Sequence, residues 1–329
     1  MHKQIAKTTR LRGWILPLLA VLCLGLPSVQ AATELHRAAA KGDVDTIKYL
    51  IIRGADVNIV DDRKETPLHY AARYNRVEAV KCLLEVGADM YAGDRYGYTA
   101  LDHSIFHNQE AVSDLLITAM DFTRESKFPI KSLHIAVFCE SMDILNRLAA
   151  KKGIDVNAKD IFGDTPLHDA AFGNNIKAVD ILVKNGADVN ALNRRKSTPF
   201  LKACRSYHNG SIKTMKKLKA YGADVNAQDV TGMSSMHYAI VRKQTEKIDW
   251  LLQYTDVDVN AQDNNGCTPT HCAVMHPSNN NSSLKKLISK GADCYIKNKK
   301  GEMALDIAIA KKNHTAIKML RENNLKKDS

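Results

Sequence analysis

The sequence predicts an all-α solenoid of helix-turn-helix units joined by short β-turn or hairpin fingers, and three observations predict it. The tag Thr66-Pro67-Leu68-His69 returns as Thr165-Pro166-Leu167-His168, with degraded copies such as Thr33-Glu34-Leu35-His36 and Thr268-Pro269-Thr270-His271. A second tag, Gly-Ala-Asp, closes many of the same segments, as at Gly54-Ala55-Asp56, Gly186-Ala187-Asp188 and Gly291-Ala292-Asp293. The first tag starts near residues 33, 66, 99, 131, 165, 198, 234, 268 and 303, a near-constant spacing. A period of this size signals a stack of supersecondary units, none of which can bury its apolar face alone.

Within a unit, each element has a local cause. Thr66 is suited to N-cap the first helix, and Pro67 at its first position has no amide hydrogen to leave unpaired. Leu68, Ala71 and Ala72 share one face and are small enough for close helix approach. Asn75 can take the left-handed conformation that ends the helix. The second helix, Val77–Glu85, carries Val77, Val80, Leu83 and Leu84 as an apolar stripe at three- and four-residue spacing. Gly87 stops it, and Asp94-Arg95-Tyr96-Gly97 reads as a tight turn at the tip of a finger.

Taken in order, about nine such units fill residues 32–329 as one domain. The first begins directly on a helix and is expected to cap the stack. Unit three lacks the Gly-Ala-Asp tag and reads "TAMDFTRESKFPIK" over residues 118–131, a predicted joint between a short and a long block. Unit six carries extra residues around "RSYHNGS" and unit eight around "HPSNNNSS", both placed between helices as surface loops. The last unit ends in the polar "RENNLKKDS", suited to a terminal face.

With these tags in fixed phase, the chain resembles the ankyrin-repeat family. The resemblance implies that the recurring His36, His69, His134, His168, His237 and His271 are structural, each tying a helix start to the neighbouring loop. It also implies that a protein partner is held by the finger tips and the exposed ends of the first helices. Carried onto this sequence, those positions are Arg73, Tyr74, Phe106, Phe138 and Phe172 on helix ends, with Tyr96, Tyr98 and Phe162 on fingers. From unit six onward they turn basic: Arg194, Arg195 and Lys196 on a finger, then Arg205, Arg242 and Lys243.

Residues 1–31 read as a secretory signal. Lys3, Lys7, Arg10 and Arg12 form a basic head, residues 14–26 an apolar run, and Val29-Gln30-Ala31 a cleavage site. The run carries Pro17 and is shorter than the roughly 20 residues needed to span a membrane. The expected mature product is exported, periplasmic or else extracellular, with no membrane span. Lys+Arg number 47 and Asp+Glu 36 in the whole chain; the signal removes four basic residues, leaving 43 − 36 = +7. Residues 32–164 hold 17 basic and 21 acidic side chains, net −4, and residues 165–329 hold 26 and 15, net +11. That split points to a partner with an acidic surface, although much of the lysine lies on expected outer helices.

Little in the chain points to catalysis. It has no phosphate-cradling glycine loop, no nucleophile-elbow serine and no zinc-protease helix motif. The repeating histidines stand a whole unit apart, too far to share a metal across helices packed about 8–10 Å apart. Cys267, His271, Cys272 and His276 are a denser constellation that could hold a soft metal, but small core cysteines and a structural histidine account for most of it. No metal, cofactor or nucleic-acid partner is expected. Removing Cys23 with the signal leaves six cysteines, of which Cys267, Cys272 and Cys294 are near enough in the stack for an optional disulfide.

The reading that follows is a non-catalytic, exported interaction scaffold binding a protein on its concave face. Two others compete with it: a secreted effector or toxin acting on a host or competitor cell through the same surface, and a metal-binding protein centred on the Cys267–His276 cluster.

Overall fold

A computed structural model describes residues 33–123, 130–206, 211–275 and 281–327, so the signal-like segment lies outside the described residues. Those residues form eighteen helices and no strand. The helices come in pairs, an inner one opening each unit and an outer one following. The first four pairs are α1 (Glu34–Lys41) with α2 (Val44–Ile52), α3 (Pro67–Arg73) with α4 (Val77–Glu85), α5 (Ala100–Phe106) with α6 (Glu110–Ala119), and α7 (Ile130–Phe138) with α8 (Met142–Ala149). Next come α9 (Pro166–Phe172) with α10 (Ile176–Lys184), α11 (Pro199–Arg205) with α12 (Ser211–Ala220), and α13 (Ser235–Val241) with α14 (Thr245–Tyr254). The last two are α15 (Pro269–Met275) with α16 (Asn281–Ser289) and α17 (Ala304–Ala310) with α18 (His314–Lys327).

Two compact units divide the chain, one through Ala100 and the other from Leu101 onward. The boundary falls at the start of α5; residues 124–129 of the joint expected over 118–131 lie outside the described residues. In the first unit α1 packs on α3 and α2 on α4. In the second, inner helices stack as α9, α11, α13, α15 and α17, and outer helices as α8, α10, α12, α14, α16 and α18.

Local chemistry sets the pairs. Thr66, Thr165 and Ser234 cap α3, α9 and α13 in reciprocal boxes with the histidine three residues on. Asn75, Asn108, Glu140, Asn174, Lys243 and Lys312, each with φ between 54° and 58°, turn the chain from inner to outer helix. Leu68, Ala71, Ala72, Val80 and Leu83 are fully buried in the second pair, as their spacing requires.

The fingers are hydrogen-bonded turns, with Gly97 N–H donating to the Asp94 carbonyl at 2.8 Å and Gly163 N–H to that of Asp160 at 2.9 Å, in line with the expected β-turns. In the opening pair, outer helix α2 leaves Tyr49 60% and Ile52 84% exposed.

Candidate functional site

The tag histidines are consumed by the fold. In His69, Nδ1 accepts the backbone N–H of Thr66 at 3.0 Å, so Nε2 carries the proton and donates to the carbonyl of Tyr98 at 2.9 Å. His168, His237 and His271 repeat the pattern, with Nε2 donating to Ser197, Cys267 and Glu302. Each ties its helix start to the next finger. Burial lowers the pKa of His36, His168, His237 and His271, in keeping with a neutral ring of fixed tautomer.

His134 departs from this rule because Lys131, not threonine, stands at its cap position. Its Nδ1 meets the Asp169 carboxylate at 2.5 Å and its Nε2 the Ala158 carbonyl at 3.2 Å. Both neighbours are acceptors, so only the doubly protonated ring satisfies them.

The fingers are built on an inward-turned Asp or Asn. Asp160 Oδ1 accepts from Phe162 N and Asp164 N, and Asn193 Oδ1 accepts from Arg195 N and Ser197 N. Asp263 does the same for Asn265 and Cys267. These carboxylates hold their own turns and leave the tips to other side chains.

The predicted partner-binding residues sort into three groups. Tyr74 (36%), Tyr96 (44%) and Phe162 (50%) are exposed, as are Arg194, Arg195, Lys196 and Lys243. Phe106, Phe138, Phe172, Arg205 and Arg242 are only half-buried. Phe172 lies beneath Lys202, whose Nζ is 5.9 Å from the ring centroid, and Arg205 stacks 5.1 Å from that of Tyr238. Arg73 is nearly covered, with 11% side-chain exposure, and it pairs with Glu65 at 2.6 Å. Tyr98 corrects the expected aromatic stripe: it is 6% exposed, because its carbonyl anchors His69 and its ring turns inward with the finger. The stripe is thus broken along the inner helices and survives at the finger tips, where Ile161 (61%), Leu192 (48%) and Val230 (47%) join it. Leu192 and Val230 went unremarked in the sequence because a lone aliphatic residue beside an Asn or Asp carries no signal of exposure.

The charged side chains divide in a similar way. On the outer helices an aspartate of one unit pairs with a cation of the next: Asp114 with Arg147, Asp180 with Lys217 at 2.8 Å, and Asp249 with Lys286 at 2.5 Å. Partly exposed surface pairs of this kind contribute little energy. Arg194, Arg195 and Lys196 make no ion pair among the described residues.

Lys247 is a separate surprise. It stands in the stripe position held by Ala79, Val112, Ile144 and Ala178 in other units, and it is 4% exposed. Its Nζ donates to the carbonyls of Ala203, Cys204 and Ser206 at 3.1, 3.0 and 2.7 Å, closing the end of α11 where unit six departs from the regular turn. Burial draws its pKa down to about 8. A lysine within an apolar stripe was the available sequence signal.

All six described cysteines are free thiols. Burial pushes Cys204 and Cys272 up to about 12. In the Cys267–His276 cluster, His271 spends both ring nitrogens on Thr268 and Glu302, and His276 lies outside the described residues. No helix among the described residues is long and apolar enough to cross a membrane.

Comparison with known proteins agrees with the helix pairs. The family model described as ankyrin repeats (3 copies) matches residues 35–126, 133–229, 200–298 and 236–329. The chain is similar to the E3 ubiquitin-protein ligase KEG of Arabidopsis thaliana, 32% identical over 115 residues that make up 35% of this chain and 7% of that one. An ankyrin repeat protein of Acanthamoeba polyphaga mimivirus is 27% identical over 160 residues, 48% of this chain and 20% of its own. One from fowlpox virus is 32% identical over 126 residues, 30% of this chain and 18% of its own. The chain therefore spans a fifth or less of the length of these relatives. Family model and helix pairs together cover nearly all the described residues, and the chain belongs to the ankyrin-repeat family.

Proposed function

We propose that this chain is a non-catalytic protein-interaction scaffold, exported from the cytoplasm to the periplasm, that holds a protein partner on the finger side of its second unit. One contrast carries the reading. Beside the inner helices, polar groups spend themselves on each other: Lys202 on Asp164 at 2.5 Å, Arg205 on Tyr238, and His134 on Asp169. On the neighbouring fingers, Ile161, Phe162, Arg194, Arg195 and Lys196 face solvent instead. Apolar side chains and arginines in such a setting are the usual anchors of protein interfaces. An acidic partner surface follows from the excess of unpaired cations. Export rests on the basic head, short apolar run and small-residue cleavage site of residues 1–31.

A photo-crosslinking side chain at Phe162, Phe172 or Phe138 in intact cells tests the scaffold, and fractionation tests its address. A discrete protein adduct from the periplasmic fraction is expected. Absence of adducts at all three positions removes the scaffold reading, and an uncleaved cytoplasmic chain removes export.

A further inference from the structure

The finger tips of the second unit form one hydrogen-bonded row. Arg194 N–H donates to the Phe162 carbonyl at 3.1 Å, Val230 N–H to Arg195 at 2.7 Å, Asn264 N–H to Thr231 at 3.0 Å, and Lys299 N–H to Asn265 at 2.8 Å. The approach is close enough that a Cβ on Gly163 would lie 2.7 Å from Arg194 N, and one on Gly232 2.6 Å from Asn264 N. With stacked units about 8–10 Å apart, the row is roughly 35 Å long. That is the length of about ten residues of extended chain.

Charge along this row has one sign. Asp160, Asp229 and Asp263 turn their carboxylates into their own turns, and Tyr238 also donates to Asp229. Arg194, Arg195 and Lys196 stand exposed on the finger next to that of Phe162, and Lys299 and Lys300 at the far end. The near end is apolar, with Ile161 and Phe162 61% and 50% exposed. Lys196 also holds a left-handed φ of 54°, at the place where Gly163 and Gly232 sit at 76° and 77°. A glycine would relieve that strain, and the lysine in its place presents its ammonium to solvent.

We propose that this row binds an extended acidic protein segment whose aliphatic or aromatic end lies over Ile161 and Phe162, with its carboxylates on Arg194, Arg195, Lys299 and Lys300. The proposal rests on the scaffold reading and narrows it to a partner class and a footprint. A nucleic acid fits less well. Its regular phosphates ask for an unbroken line of cations, whereas Val230 and the Asn264–Asn265 tip interrupt this one. Base stacking asks for successive aromatics, and Phe162 is the one aromatic at these tips.

The test uses the full chain and three probes at low and physiological salt. The first is a labelled peptide of about ten residues, rich in Asp and Glu with Phe-Leu at one end. The others are single-stranded DNA of matching charge and vesicles containing anionic lipid. Peptide binding is expected, weakened by salt, and about tenfold weaker in Arg194→Glu/Arg195→Glu. Replacing Phe-Leu by Ser-Ser should weaken it in the parent and leave a Phe162→Ser variant unaffected. Lys213→Glu/Lys216→Glu on the outer helix controls for net charge, and unchanged circular dichroism melting shows that each variant folds. Preference for DNA or vesicles overturns the proposal, as does equal loss in the outer-helix control or no peptide binding at low salt. Cellular crosslinks from Phe172 and Phe138 but none from Phe162 would leave the scaffold standing and remove this footprint.

Discussion

His134 and Asp169 form a 2.5 Å contact between imidazole Nδ1 and carboxylate Oδ2, and the Ala158 carbonyl receives the other ring nitrogen. Burial alone would lower the ring's pKa, but the Asp169 hydrogen bond and charge outweigh it, and the net shift is upward. The remaining shifted tag histidines go the other way. For His134 the stabilisation is full below the unfolded pKa of about 6.5 and is lost as pH rises through the folded value. For His36, His168, His237 and His271 it is full above about 6.5 and is lost as pH falls through the lowered folded values. Melting temperature should therefore fall on acidification from neutral pH, more steeply in His134→Gln, which loses the opposing contribution. A shallower acid slope in that variant would refute the assignment.

Replacing Lys247 removes a charged donor from the carbonyls of Ala203, Cys204 and Ser206, of which Ser206 keeps Gln244 Nε2 at 2.9 Å and Ala203 keeps the Ser206 N–H at 3.2 Å. Lys247→Met keeps most of the buried stem and should still cost about 2–3 kcal/mol in urea unfolding. A loss below about 0.5 kcal/mol would mean that water replaces the ammonium without penalty.

Lys196→Gly should do two things at once. Relief of the left-handed backbone should stabilise the fold by about 0.5–1 kcal/mol, while affinity for the acidic peptide drops. Calorimetry and fluorescence anisotropy on one preparation read both quantities. Unchanged affinity would strike Lys196 from the interface.

Gly163→Val brings a side chain against Arg194 N in a turn where φ is 76°. The finger should separate from its neighbour at a cost of about 2 kcal/mol, and the Arg194 amide should exchange faster with deuterium. Retained protection of that amide contradicts the row.

Outer-helix pairs should be nearly silent. Lys217→Ala and Lys286→Ala are each expected to change stability by less than about 1 kcal/mol, because both partners remain partly exposed to water. Chemical denaturation measures this. A larger loss would make the outer face a structural network.

Much of the fold was legible because its causes are local. Thr66 and Thr165 cap, Pro67 and Pro166 start helices, Asn75 turns, and Val80 and Leu83 repeat at helical spacing; none of these depends on a distant residue. The candidate site was legible only in part. The register placed Phe162, Arg194, Arg195 and Lys196 at finger tips, where they are exposed. It could not tell that Arg73 would close on Glu65, that Arg205 would stack on Tyr238, or that Tyr98 would turn inward.

The sequence by itself determined the all-α repeat, its period and the tag histidines, since capping, turn chemistry and apolar periodicity act within a few residues. Tertiary structure alone decided which charges remain free. Lys202 lies 38 residues from Asp164 and His134 lies 35 from Asp169, yet each pair meets within hydrogen-bond distance once units stack. Whether a side chain is spent inside the fold or left for a partner depends on neighbours a full repeat away, and only packing brings those into reach.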